Sequence, residues 1–157
     1  MRKTNALRLL DQHKINYDIQ EYNYEESDLS GLHVIKELNQ EAKYVYKTLV
    51  LNGDKSGYIV CLVPVDKEID LKKLAKASSN KNVEMVHVSN LEKITGYIRG
   101  GCSPIGMKKV FPTYAYNGLD KIDKVFISAG CRGMQVHLAT KDLIQFCHIN
   151  LIDVLKD

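Results

Sequence analysis

Two glycine-rich stretches constrain this chain more than any other feature: Gly96–Lys109, reading GYIRGGCSPIGMKK, and Ser128–Val136, reading SAGCRGMQV. Each sets small residues and a cation beside an apolar run, a pattern that bends the backbone tightly and turns its N–H groups toward a ligand's oxygens. They read as parts of a binding site. Lys47, within VYKTLVL, is the third feature that bears on chemistry.

With 157 residues, 45% hydrophobic and 26% charged, the chain can bury one core without disulfides or metal, and it reads as a single domain over 1–157. No run approaches the length of a membrane span. The N-terminal MRKTNALRLLDQHK scatters charges where a signal peptide needs an apolar block, so the expected location is the cytoplasm with no membrane partner. Cys61, Cys102, Cys131 and Cys147 lie far apart with no CxxC, which suggests neither zinc nor a disulfide framework. The net charge of +3 is too mild to mark a nucleic-acid binder by itself. Its distribution says more: lysines gather at Lys72, Lys73, Lys76 and Lys81, a grouping that reads either as a positive face for a phosphate backbone or as a solvated helix face. A second group, Arg99, Lys108 and Lys109, flanks the first glycine stretch and reads as functional.

Along the chain, Thr4 can cap a helix with Ala6, Leu7, Leu9 and Leu10 on one stripe, ending near Lys14. A short strand is expected through Tyr17, Ile19 and either Glu21 or Tyr22, a loop over Tyr24–Ser30, and a helix over Gly31–Asn39 started by Asp28 or Ser30. Val45–Leu51 and Tyr58–Val63 read as a hairpin turning at Asn52-Gly53-Asp54. An amphipathic helix over Asp70–Ser78, a strand at Val83–Val86, and a helix from a Ser89 cap to Thr95 follow, with Gly96 ending the last. Strands at Thr113–Tyr116, Lys124–Ser128 and Met134–Leu138, a turn at Asn117-Gly118, and a helix from Thr140 to about Cys147 complete the reading. Hairpins mixed with crossovers argue for a mixed α/β sheet over a doubly wound parallel one.

Familiar motifs fail on inspection. Gly101–Lys108 nearly has phosphate-loop spacing, but Met107 stands where that loop needs lysine, and neither stretch fits G-x-G-x-x-G. Gly130-Cys131-Arg132-Gly133 fits the G-x-x-G clamp in letters, yet lies between apparent strands instead of helices. Cys102, Cys131 and Ser103 are candidate nucleophiles, and His13, His33, His87, His137 and His148 candidate bases. No spacing joins any pair of them, and no metal-ligand spacing appears. No cofactor is expected.

Taken together, Tyr22, YKTLVL around Lys47, and the two glycine stretches, in this order over essentially the whole chain, resemble the YbaK/EbsC family of aminoacyl-tRNA deacylases. The resemblance implies a mixed α/β domain, a barrel-like sheet surrounded by helices, related to the editing domain inserted in bacterial prolyl-tRNA synthetases. It implies removal of a wrong amino acid, chiefly cysteine, from tRNA for proline, and prolyl-tRNA synthetase as the partner that supplies tRNA selectivity. It also implies a catalytic Lys47 and a pocket lined by Tyr22, by Gly100, Gly101, Ser103 and Pro104 of a GG-x-SP loop, and by Ser128, Gly130, Arg132 and Gly133 of the second glycine turn. Gln135 departs from the resemblance, since some members carry an acidic or hydroxyl side chain there. Cysteine's own thiolate could attack its carbonyl, dispensing with a protein nucleophile. The rival readings are a non-catalytic module that holds a tRNA acceptor end, and a thiol enzyme using Cys102 or Cys131.

Overall fold

The computed structural model describes residues 3–157. Thr4 caps α1 (Asn5–Gln12) by accepting the Leu7 N–H, and Ser30 caps α2 (Gly31–Leu38) by accepting the His33 N–H. The strands are β1 (Tyr17–Glu21), β2 (Tyr46–Gly53), β3 (Gly57–Pro64), β4 (Val83–Met85), β5 (Thr113–Tyr116), β6 (Lys124–Ser128), β7 (Met134–Ala139) and β8 (Asn150–Ile152). Three further helices, α3 (Leu71–Ala77), α4 (Val88–Thr95) and α5 (Thr140–Phe146), interleave with them.

The strands divide into a three-stranded sheet, β1-β7-β6, and a five-stranded sheet, β4-β2-β3-β5-β8. β3–β5 and β5–β8 are parallel, and the remaining ladders antiparallel, as a mixed sheet requires. Where one barrel-like sheet was expected there are two, touching edge to edge through an isolated parallel bridge between Val45 and Phe126.

Alternation along the strands sorts the core. One cluster joins Val125, Ile127, Val136 and Leu138 of the smaller sheet to Val60, Leu62 and Ala115 of the larger, under Ala6, Leu7 and Leu10 of α1. On the other face of the larger sheet Leu51, Ile59, Cys61 and Val63 meet Leu74 and Ala75 of α3. A third cluster, Leu38, Val45, Val65 and Phe126, lies beneath α2 and spans the seam between the sheets. Each fully buried leucine contributes about 1.5–3 kcal/mol, and Leu62→Ala, which leaves a hole between the sheets, costs about 2–5 kcal/mol.

Four local expectations are corrected. The hairpin turns at Asp54–Ser56, one step beyond Asn52-Gly53, because Asn80 Oδ1 accepts the Lys55 and Ser56 N–H groups and holds the tip, leaving Gly53 paired with Gly57. His87, whose ring nitrogen accepts the Ser89 N–H, caps α4 in place of Ser89. Asn117–Lys121 winds into a 3-10 helix instead of a simple turn, and Leu71, read as an inward residue of α3, is 38% exposed. β8, too short to show a period, was not anticipated.

Candidate active site

The first glycine stretch is a closed loop. The Lys108 N–H donates to the Thr95 carbonyl at its base (3.0 Å), the Tyr97 hydroxyl donates to the Ile105 carbonyl (2.7 Å), and Asn5 Nδ2 donates to the Gly106 carbonyl (2.7 Å). Within it the Gly101 N–H donates to Ile98 (2.9 Å) and Ser103 Oγ accepts the Ile105 N–H (3.2 Å). The second stretch is the bend between β6 and β7. Ser128 Oγ accepts the Gly130 N–H (3.2 Å), and Thr4 Oγ1 donates to the Ala129 carbonyl, which fastens α1 to the bend.

The two bends lie directly against each other. A Cβ on Gly101 would come within 2.9 Å of the Cys131 backbone, and Arg132 Nε donates to the Arg99 carbonyl (2.8 Å). Tyr22, just beyond β1, joins them: its N–H donates to the Gly133 carbonyl (2.9 Å), while its ring packs on the seam cluster with Phe126.

Lys47 enters this arrangement through the seam. Val45 pairs with Phe126 in parallel, so two residues further along each strand Lys47 and Ser128 take neighbouring positions on the same face. Gln135 pairs with Ser128 across the β6–β7 ladder and shares that face. The side chain of Gln135 is buried, and its Oε1 has no hydrogen-bond partner among the described residues. A buried acceptor without a donor costs about 1–3 kcal/mol, a cost that a donor from a bound ligand would offset. Lys47 has no ion-pair partner among the described residues.

The sequence-derived residues do not all meet in one hollow. Lys47 lines a groove of about 650 Å³ with Leu49, Ile69, Asp70 and Met85, which contains no glycine-bend residue. Pro104 lines a separate cavity of about 860 Å³ on another side of the first bend, without Lys47. Alternation turns Lys47 onto the face of Leu49 and Val63, toward the start of α3. Ser103 is fully buried and occupied with its own loop. Arg132 ties the bends together and lies 3.8 Å from Glu26. What the structure unites is Tyr22, Gly100, Gly101, Gly130, Arg132 and Gly133 at the joined bends, and Lys47 with Ser128 at the seam.

The cysteines are poor nucleophiles. Burial pushes the Cys102 thiol up to about 12 despite a hydrogen bond from Thr95, and burial with the nearby Glu21 charge raises that of Cys131. Among the described residues no group of three or more His, Cys, Asp or Glu side chains could hold a metal, and no helix is long and apolar enough to cross a membrane.

Sequence reasoning noted Gln135 only as a departure. The signal was present in MQVHL, whose alternation puts Gln135 and His137 on the face opposite Val136.

The mixed α/β scaffold, with its two abutting main-chain bends and a lysine at the seam, has recognisable relatives. The aminoacyl-tRNA editing domain signature matches residues 32–146, and the chain belongs to that family. It is 50% identical over 142 residues, 90% of this chain and 87% of the relative, to EbsC of Enterococcus faecalis, a proposed Cys-tRNA(Pro)/Cys-tRNA(Cys) deacylase. A stretch of 87 residues, 55% of this chain, is 26% identical to 15% of the proline–tRNA ligase of Brachyspira hyodysenteriae. Among solved structures, a proposed trans-editing enzyme for prolyl-tRNA synthetase superposes with a TM-score of 0.84 at 20% identity over 100% of both chains. The hypothetical protein APE2540 superposes with a TM-score of 0.88 at 14% identity over 98% of this chain and 100% of that one. At these identities both matches speak for the fold.

Proposed function

We propose that the chain is an aminoacyl-tRNA deacylase acting in trans, which removes cysteine from tRNA for proline and from tRNA for cysteine. The observation that carries this reading is the match to EbsC at 50% identity across 90% of the chain, within a family whose domain edits aminoacyl-tRNA. The adenosine-linked ester would lie across the seam, with Lys47 facing the ester or the terminal phosphate. The N–H groups of Cys131, Arg132 and Gly133 have no hydrogen-bond partner among the described residues. Successive free amides in such a bend suit the oxyanion that forms as the carbonyl is attacked.

No protein thiolate is needed. The substrate's own cysteine sulfur, once deprotonated, attacks its carbonyl carbon. A C–S bond forms, the bond from that carbon to the ribose oxygen breaks, and the ribose oxygen takes a proton, leaving free tRNA and a thiolactone that water opens. Holding the two groups of one residue in reach replaces a catalytic side chain by effective concentration. We read the whole chain as one editing unit that relies on prolyl-tRNA synthetase to select the tRNA.

The test is release of labelled amino acid from tRNA charged with cysteine, alanine or proline, with and without prolyl-tRNA synthetase. Cysteine release is expected, faster with the synthetase present. Stable esters throughout would overturn the activity, and equal rates on all three amino acids would overturn the choice of cysteine.

A further inference from the structure

The cavity of about 860 Å³ lies between the end of α1, the end of α5 and the chain leaving the first bend, and the chemistry above makes no use of it. Its floor is apolar: Leu9, Met107, Phe111 and Phe146 line it, each only partly buried against the main core. Its rim carries the cations of Lys14 and Lys109, with the imidazoles of His13 and His148 beside them, against one carboxylate, Asp142. Both lysines are exposed, and neither has an ion-pair partner among the described residues. Phe146 is held edge-on to His13 (4.9 Å, 84°) and Phe111 edge-on to Tyr58 (5.9 Å, 78°), so both rings are fixed in orientation. Val110, 95% exposed, stands at the mouth with nothing apolar to cover it.

An apolar floor alone would suit many occupants. The excess of cations over a floor carrying two fixed aromatic rings is more selective, because flat bases stack on aromatic rings while their phosphates seek positive charge. The same bend supplies a wall to both places: Gly101 abuts the second bend at the candidate site, and Pro104 and Gly106 line this cavity. We propose that the cavity receives a nucleotide of the single-stranded RNA end whose terminal ester the candidate site takes. Its base lies against Phe111 and Phe146, and its phosphates face Lys14 and Lys109. The inference rests on the deacylase reading, which supplies the RNA.

The test measures binding, without turnover, of the full chain to a fluorescent single-stranded RNA ending in CCA and carrying no amino acid, by anisotropy across a salt series. Lys14→Gln with Lys109→Gln should weaken binding about tenfold and flatten the salt slope by about 1.4, the value for two phosphates on a single strand. Phe111→Leu, which keeps apolar volume and removes the ring, should weaken binding at least about fivefold with the salt slope unchanged. Unfolding curves confirm that each variant is folded. Unaltered affinity and slope in these variants would overturn the proposal. So would an effect confined to free AMP, or loss of binding to prolyl-tRNA synthetase with RNA affinity intact, which would assign the cavity to a protein. Because the RNA carries no ester, a wild-type chain that binds through this cavity yet releases no amino acid would sink the deacylase reading and not the cavity assignment.

Discussion

A side chain on Gly101 would place its first carbon 2.9 Å from the main-chain carbon atoms of Cys131, so the two glycine bends touch through bare backbone. Backbone cannot rotate aside as a flexible side chain does, and Gly101→Ala must push the bends apart. Overpacking of this kind costs about 1–3 kcal/mol. The expected outcome is a modest fall in the denaturation midpoint together with a loss of deacylation at least tenfold, since the amides of the second bend move with it. Wild-type activity in a variant whose midpoint has fallen would show that the contact matters only for stability.

Lys47→Ala should leave the unfolding midpoint within experimental error, because Lys47 has no ion-pair partner to lose among the described residues. Deacylation of Cys-tRNA should fall at least a hundredfold if the ammonium faces the ester. Lys47→Arg keeps the charge but spreads it over a planar fork, and is expected to recover only a small part of the rate. Rates within twofold of wild type in both variants would remove Lys47 from the mechanism.

Most elements were legible in the sequence because each carried its own local signal: a Thr4 or Ser30 hydroxyl ahead of an apolar stripe, or alternation in VYKTLVL. The misread places were settled by atoms distant in sequence. Asn80 moves the hairpin tip by reaching across 25 residues to Lys55, which no pattern around Gly53 could reveal. The glycine bends were visible as such, but their contact was not, because Gly101 and Cys131 are far apart in sequence and only the tertiary fold sets them against each other. The surroundings of Lys47 have the same origin. Alternation in VYKTLVL puts Lys47 opposite Tyr46 and Thr48, yet which neighbour that face meets depends on the Val45–Phe126 bridge and on where α3 packs.

Cys102→Ser and Cys131→Ser should each retain at least half of the wild-type rate. A thiol held up to about 12 by burial, as in Cys102, is protonated at neutral pH, and that of Cys131 is raised in the same direction. Loss of activity in either variant, with the fold intact by circular dichroism, would restore the thiol-enzyme reading.

His137 supplies a pH prediction. It stacks on Phe126 with centroids 3.9 Å apart, and burial, then the Lys124 charge, lower its pKa from 6.5, with Asp18 opposing. The unfolded chain therefore takes up this proton more readily than the folded one. The stability His137 contributes is present above pH 6.5 and is lost as the pH falls through its depressed folded value. Melting temperatures of wild type and His137→Phe, compared point by point, should differ by a constant amount above that pH, and wild type should lose ground below it. Parallel curves down to pH 5 would show that the histidine titrates alike in both states.

Gln135 allows stability and function to be separated in one residue. Its Oε1 is buried on the face of Ser128 and has no donor among the described residues, so the folded chain alone gains nothing from the amide oxygen. Gln135→Leu removes the orphaned acceptor at similar volume and should hold or raise stability, by up to about 2 kcal/mol. If that acceptor instead meets an N–H or O–H of the bound aminoacyl-adenosine, the same variant should raise KM for Cys-tRNA about tenfold or more. Gln135→Glu keeps an acceptor and should retain more of the affinity than leucine does. A leucine variant that is more stable with unchanged KM would place the amide outside the substrate's reach. One that is less stable would mean that the oxygen already has a partner in the free protein.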